Sequence, residues 1–107
     1  MAINERRDDM QGNVFLVFGD SMHPTLETGD RVETVGVSRS EVRIGDIISY
    51  VNGDGRRVIH RVVRLEPLVT RGDNASEEDA PVPDESPVWR VVSVDGSHRP
   101  ERMFRSR

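Results

Sequence analysis

The 107-residue chain contains no cysteine and no lysine. Without cysteine there is no disulfide framework, no thiolate nucleophile and no thiolate metal ligand. Without lysine, all 15 basic residues are arginines, and a guanidinium keeps its proton too tightly to act as a general base. Aromatic residues make up only 5% of the chain, and 32% of it is charged, so one small core with extensive loops is expected. The longest apolar run, Val14 to Phe18, is far shorter than the roughly 20 residues of a membrane-spanning helix. The first 12 residues are polar and carry Glu5, Arg6, Arg7, Asp8 and Asp9, which is not the pattern of a signal peptide. A soluble, cytoplasmic chain without an integral membrane anchor is therefore expected.

Charge narrows the partners. The formal net charge is −4, which argues against a general nucleic-acid binder. Basic residues do gather near the C-terminus (Arg99, Arg102, Arg105, Arg107), where a solvated tail is the simplest reading. The three histidines, His23, His60 and His98, lie far apart without metal-ligand spacing, so neither a metal nor another cofactor is expected.

What is present reads as a mainly β domain. Val14 to Phe18 is β-branched and aromatic and is closed by Gly19-Asp20, the pattern of a strand and turn. Pro24 and Gly29 make residues 19–30 a structured loop, with one helical turn expected at Pro24–Glu27. Further strands are expected over Arg31–Val37, Ile47–Val51, Arg57–Leu65, Leu68–Arg71 and Val88–Val94, with a short helical turn over Ser38–Arg43. Asn52-Gly53-Asp54-Gly55 is the strongest hairpin signal, because Asn-Gly and Asp-Gly supply the positive φ angles of tight turns. No segment holds helical periodicity over ten residues, so the expectation is a small curled or barrel-like sheet with little helix. The chain is expected to divide into a flexible arm at 1–12, a single β domain at 13–98 and a basic tail at 99–107.

The chemistry centres on Gly19-Asp20-Ser21-Met22-His23-Pro24-Thr25-Leu26, followed by Gly29-Asp30. A serine placed just after an apolar strand, with anchoring Met, Pro and Leu behind it, is well placed as a nucleophile. It needs a base, and in a chain without lysine His60 is the candidate. His23, two residues after Ser21, is expected to point away from it, and His98 reads as a surface turn.

These segments resemble a known family. Ser21-Met22-His23-Pro24-Thr25-Leu26 with Gly29-Asp30 is similar to the nucleophile box of type I signal peptidases and of LexA-type self-cleaving repressors. Gly45-Asp46-Ile47-Ile48 resembles their next box. His60-Arg61-Val62-Val63 lies where many bacterial members carry Lys-Arg-Val, and a His there resembles the archaeal and endoplasmic-reticulum branch. Thr70-Arg71-Gly72-Asp73-Asn74 followed by Asp79 resembles that branch's Gly-Asp-Asn segment and its second acid. Together the boxes cover about residues 14–94.

The resemblance implies a serine endopeptidase with Ser21 as nucleophile, His60 as base and Asp79 as the acid that orients it. Asp73 matches the Gly-Asp-Asn acid, which is expected to orient the loop or to share the role of orienting the histidine. It also implies an oxyanion hole built from backbone N–H groups at Ser21 and Met22, because Gly19 stands where many signal peptidases carry a helping serine. The implied substrate is an extended peptide, a leader or signal-like segment of a precursor, with small side chains beside the scissile bond. Peripheral contact with a membrane is left open. Two other expectations stand beside this one: a catalytically weak peptide-binding module of the same fold, and a self-cleaving regulator.

Overall fold

Six antiparallel strands form one sheet, and the turn chemistry of the sequence sets most of their boundaries. In this computed structural model, which describes residues 13–95, the strands are β1 (Asn13–Leu16), β2 (Arg31–Val37), β3 (Ile47–Val51), β4 (Arg57–Leu65), β5 (Leu68–Arg71) and β6 (Val88–Asp95). The only helical piece among the described residues is a 3-10 turn at Arg39–Glu41. The expected arm at 1–12, the tail at 99–107 and His98 lie outside the described residues.

The β3–β4 hairpin forms where Asn-Gly and Asp-Gly direct it. Asn52 closes the turn through its backbone and its side-chain carbonyl, which accepts from the N–H groups of Asp54 (2.9 Å) and Arg56 (3.0 Å). Gly55 supplies the positive φ, +83°. The expected helical turn at Pro24–Glu27 is absent. Those residues form an irregular turn closed by one Leu26 N–H to Met22 O bond (2.9 Å), because tertiary anchors hold them. Leu26 is fully buried, and the Thr25 hydroxyl donates to Asp73. Strand β1 stops at Leu16, earlier than its apolar run, and the chain continues as a loop bonded to itself through Val17 N–H to Asp30 O (2.9 Å) and Gly29 N–H to Val17 O (3.0 Å).

The strand order is β1-β2-β6-β3-β4-β5, so the sheet is open rather than a closed barrel. It nevertheless curls. Register shifts at Glu33/Thr34 and Val62/Arg64 add local twist. Phe15 of β1 packs edge-on to Trp89 of β6, with ring centres 5.7 Å apart. The Arg57 guanidinium of β4 lies over Phe15 at 4.2 Å. Side chains thus reach across where hydrogen bonds do not.

Strand alternation divides the core into two clusters. Val17, Met22, Leu26, Val32, Ile47, Val91 and Val94 form one, with Phe15 and Ile59 against it. Val42, Ile48, Tyr50, Val62, Leu68, Val82 and Val88 form the other, with Val37 and Val58 against it. Ile59 and its neighbour Val58 therefore serve different clusters, and β4 is covered on both faces. No helix among the described residues is long and apolar enough to cross a membrane.

Candidate active site

Register places the site before any side chain is considered. Tyr50 pairs with Val58, Ile48 with His60 and Val62 with Thr70. Cross-strand partners share a face, and residues two apart on β4 share it too. Tyr50, His60 and Thr70 therefore stand on one face, from three adjacent strands. Arg57, Ile59 and Arg61 stand on the other.

Two loops bring the remaining groups to His60. The loop after β1 carries Ser21, whose Oγ lies 2.9 Å from His60 Nε2. The loop after β5 runs back along that strand, with Asp79 N–H bonded to Thr70 O and Val82 N–H to Leu68 O, both at 2.9 Å. This return places Asp79 Oδ2 2.7 Å from His60 Nδ1. Ser21, His60 and Asp79 are thus joined in one continuous hydrogen-bonded line. With a carboxylate at Nδ1, that nitrogen carries the proton and Nε2 is left to accept from serine.

The line extends further than the sequence suggested. The Thr70 hydroxyl donates to the same Asp79 oxygen at 2.6 Å. Its oxygen lies 2.8 Å from the Tyr50 hydroxyl. Thr70 has one proton and spends it on Asp79, so Tyr50 must be the donor in that pair. Burial raises the Tyr50 phenol above its ordinary value, with the Thr70 hydrogen bond opposing and the Asp79 charge adding, so it stays a donor. Tyr50 and Thr70 are both buried.

Asp73 belongs to a different set. Its carboxylate takes a two-pronged contact from Arg61, Nε to Oδ1 and Nη2 to Oδ2, each 2.8 Å. It also accepts from the Thr25 hydroxyl. The third Arg61 contact goes to Gly45 O at 2.8 Å. The expectation that Asp73 orients the histidine is corrected by this geometry: Arg61 points to the face opposite His60, and Asp73 goes with it. Burial on its own would raise the Asp73 carboxyl. The hydrogen bonds from Arg61 and Thr25, and the charges of Arg61 and Arg71, outweigh that and hold it below its ordinary value. Asp73 ties the Ser21 loop, β4 and the β3 approach together.

Neighbours of Asp73 finish the clamp. Asn74 N–H bonds Ser21 O at 2.8 Å, and its side-chain amide bonds Asp20 O at 3.1 Å. Asp73 N–H meets the Met22 sulfur at 3.3 Å. Gly72 is buried at the tightest point: a Cβ there would lie 2.5 Å from Ser21 O and 3.1 Å from His60 Nε2. Only the absence of a side chain lets the two loops meet. The carbonyl oxygens of Asp20 and Ser21 are thereby occupied, whereas the N–H groups of Ser21 and Met22 bond to no described residue. Asp20 and His23 are exposed.

Beside this line lies a groove of about 260 Å³, bounded by Leu16, Val17, Phe18 and Met22 on one side and Arg57 to His60 on the other, with Ser21 opening into it. Each wall includes a strand edge without a second ladder partner among the described residues. Strand β1 pairs only with β2, and β5 covers β4 only from Arg61 onward. No group of three or more potential metal ligands occurs among the described residues.

No protein family, curated protein or solved structure matches the chain.

Tyr50, Thr70, Gly72, Arg61 and Asn74 were not singled out as site residues by the sequence. Gly72 and Asn74 lay inside the Gly-Asp-Asn segment, which was the available signal. Tyr50 and Thr70 read only as strand residues.

Proposed function

We propose that this chain is a serine endopeptidase that cleaves a leader or signal-like segment from a precursor, with Ser21 as nucleophile, His60 as base and Asp79 as orienting acid. The observation that carries it is the 2.9 Å and 2.7 Å pair of contacts that link Ser21 to His60 and His60 to Asp79. Resemblance of four ordered segments to signal peptidases supplies the substrate class.

The chemistry follows from those contacts. A serine hydroxyl is a weak nucleophile until its proton has an acceptor. Nε2 takes that proton as Oγ adds to the scissile carbonyl, and the Asp79 carboxylate stabilises the imidazolium that forms. The N–H groups of Ser21 and Met22 are the donors offered to the developing oxyanion. His60 then returns its proton to the leaving amine, and water repeats the cycle on the acyl-enzyme. The substrate enters as an extended strand in the groove, where the free edges of β1 and β4 supply backbone partners on either side.

Intact-mass measurement after treatment with a serine-directed phosphonate tests the reading. One adduct on wild type, absent from Ser21→Ala and His60→Ala, is expected. An unmodified, folded wild type would leave a peptide-binding module instead.

A further inference from the structure

The groove contains a cation that the catalytic line does not use. Arg57 lines it together with Ser21 and His60. Its guanidinium sits over Phe15 at 4.2 Å and over Trp89 at 5.0 Å, and Nη1 donates to Ser49 Oγ at 3.1 Å. These neighbours hold the group flat and leave most of its donors unspent. Burial lowers the Arg57 pKa, so its charge is disfavoured where it stands. Arg61 and Arg64, on the same strand, are each paired with a carboxylate, Asp73 and Glu78. Arg57 has no such partner among the described residues.

We infer that Arg57 is a specificity residue that binds a carboxylate of the substrate peptide, on the side chain about three residues from the scissile bond. The inference rests on the peptidase reading for its register, and on the unpartnered guanidinium for its chemistry. A guanidinium presents a planar fork that matches a carboxylate. Three residues separate Arg57 from His60, a distance of about 10 Å at the rise of a strand. A peptide extended beside β4 has the same rise and the same alternation. Its side chain three residues from the reacting carbonyl therefore points to the face of β4 opposite His60, where Arg57 lies. Stacking on Phe15 and Trp89 fixes the fork before the substrate arrives, which lowers the ordering cost of binding. The apolar walls, Leu16, Val17, Val58 and Ile59, then accept small uncharged side chains between the two points.

The chain has a single tryptophan, so Trp89 emission reports on this guanidinium directly. The probes are short capped alanine-based peptides with one glutamate, each matched with its glutamine counterpart, titrated into the non-cleaving Ser21→Ala variant. Glutamate peptides are expected to shift Trp89 emission and to bind at least about tenfold more tightly than glutamine peptides. Arg57→Met should erase that ratio, and Arg57→Lys, which keeps the charge and loses the fork, should retain part of it. In wild type, fragment masses should place the cut about three residues from the glutamate. Equal binding of the two series, a glutamate preference that survives Arg57→Met, or no response to any peptide would overturn the inference. A glutamate preference in a chain whose Ser21 ignores the phosphonate would leave the carboxylate site standing and remove the peptidase reading.

Discussion

His60 and Arg61 are adjacent on β4, and each holds an aspartate from the same loop, yet the two pairs face opposite ways and reach different partners. On one face, Asp79 binds His60 Nδ1 and reaches serine through the ring. On the other, Asp73 binds Arg61 through two parallel contacts and takes a third from Thr25. Strand alternation alone separates them. The partners decide the rest. A histidine can gain and lose a proton in the neutral range, so an acid beside it can serve chemistry. Arginine stays charged, so an acid beside it serves as a fixed tie. Under the proposed function, two acids six residues apart are thus divided into a working one and a holding one by the parity of their partners.

The largest expected effect tests that division directly. Asp79→Asn should leave the fold intact and lower the rate of Ser21 acylation by about 10⁴-fold, because an amide no longer holds the histidine in the useful tautomer. Asp73→Asn should leave acylation by the folded fraction within a few-fold. Acylation rates measured alongside thermal unfolding distinguish the two. If Asp73→Asn abolished acylation without loss of stability, the roles would be reversed.

Gly72 lies where the two faces meet, and its replacement comes next in size. Gly72→Ala puts a methyl group against the Ser21 carbonyl, a backbone atom, and against His60 Nε2. Backbone does not give way as a flexible side-chain tip would, so the Ser21 loop must move. A displacement of about 1 Å at a nucleophile costs on the order of 10²-fold in rate. Overpacking should also cost about 1–3 kcal/mol of stability. Loss of the phosphonate adduct with only a modest fall in Tm is the expected result, and unchanged acylation would remove Gly72 from the site.

Much of the fold was legible because β-branched runs and turn residues act locally. The bounds of β2, β3, β4 and β5 match the expected segments, and the Asn52–Gly55 hairpin forms where its residues direct it. Closure was not legible. An open order with β6 between β2 and β3 depends on pairings between residues about 60 apart, such as Glu33 with Ser93, and no local pattern encodes them. The site divides in the same way. Ser21, His60 and Asp79 stood out by motif, and the geometry joins them. Tyr50 and Thr70 did not stand out, because a tyrosine and a threonine in strands satisfy β-propensity without any further role. Gly72 did not either, because its need is for space rather than for a positive φ.

The holding acid makes a prediction of its own in acid. The Asp73 carboxyl is held below its ordinary value of 3.8 by Arg61 and Thr25 against the opposing effect of burial. A depressed folded-state value means that its stabilisation is complete above the ordinary value. The stabilisation is lost as pH falls through the depressed one. Asp73→Asn should therefore cost about 2 kcal/mol at neutral pH, since it leaves the buried Arg61 guanidinium without its charge partner. The difference between variant and wild type should shrink progressively below pH 3.8. Urea unfolding at neutral and acid pH measures both limbs, and a difference that stays constant into acid would mean that Asp73 contributes shape rather than charge.

Thr70 gives the smallest and most discriminating test, because it touches the working acid without touching serine or histidine. Its hydroxyl donates to Asp79 Oδ2 at 2.6 Å while it accepts from Tyr50. Thr70→Val keeps the shape of the side chain and removes both bonds, which leaves the buried Tyr50 hydroxyl without a partner and costs about 1–3 kcal/mol of stability. Asp79 also loses the contact that fixes its rotamer, so acylation should slow by about tenfold through poorer alignment of His60. Thr70→Ser restores the hydroxyl and should recover the rate even if its missing methyl group lowers Tm. Tyr50→Phe removes only the outer bond and should slow acylation less than Thr70→Val does. A purely structural contact would make rate follow stability across all three variants; a positioning contact makes rate follow the hydroxyl on Thr70.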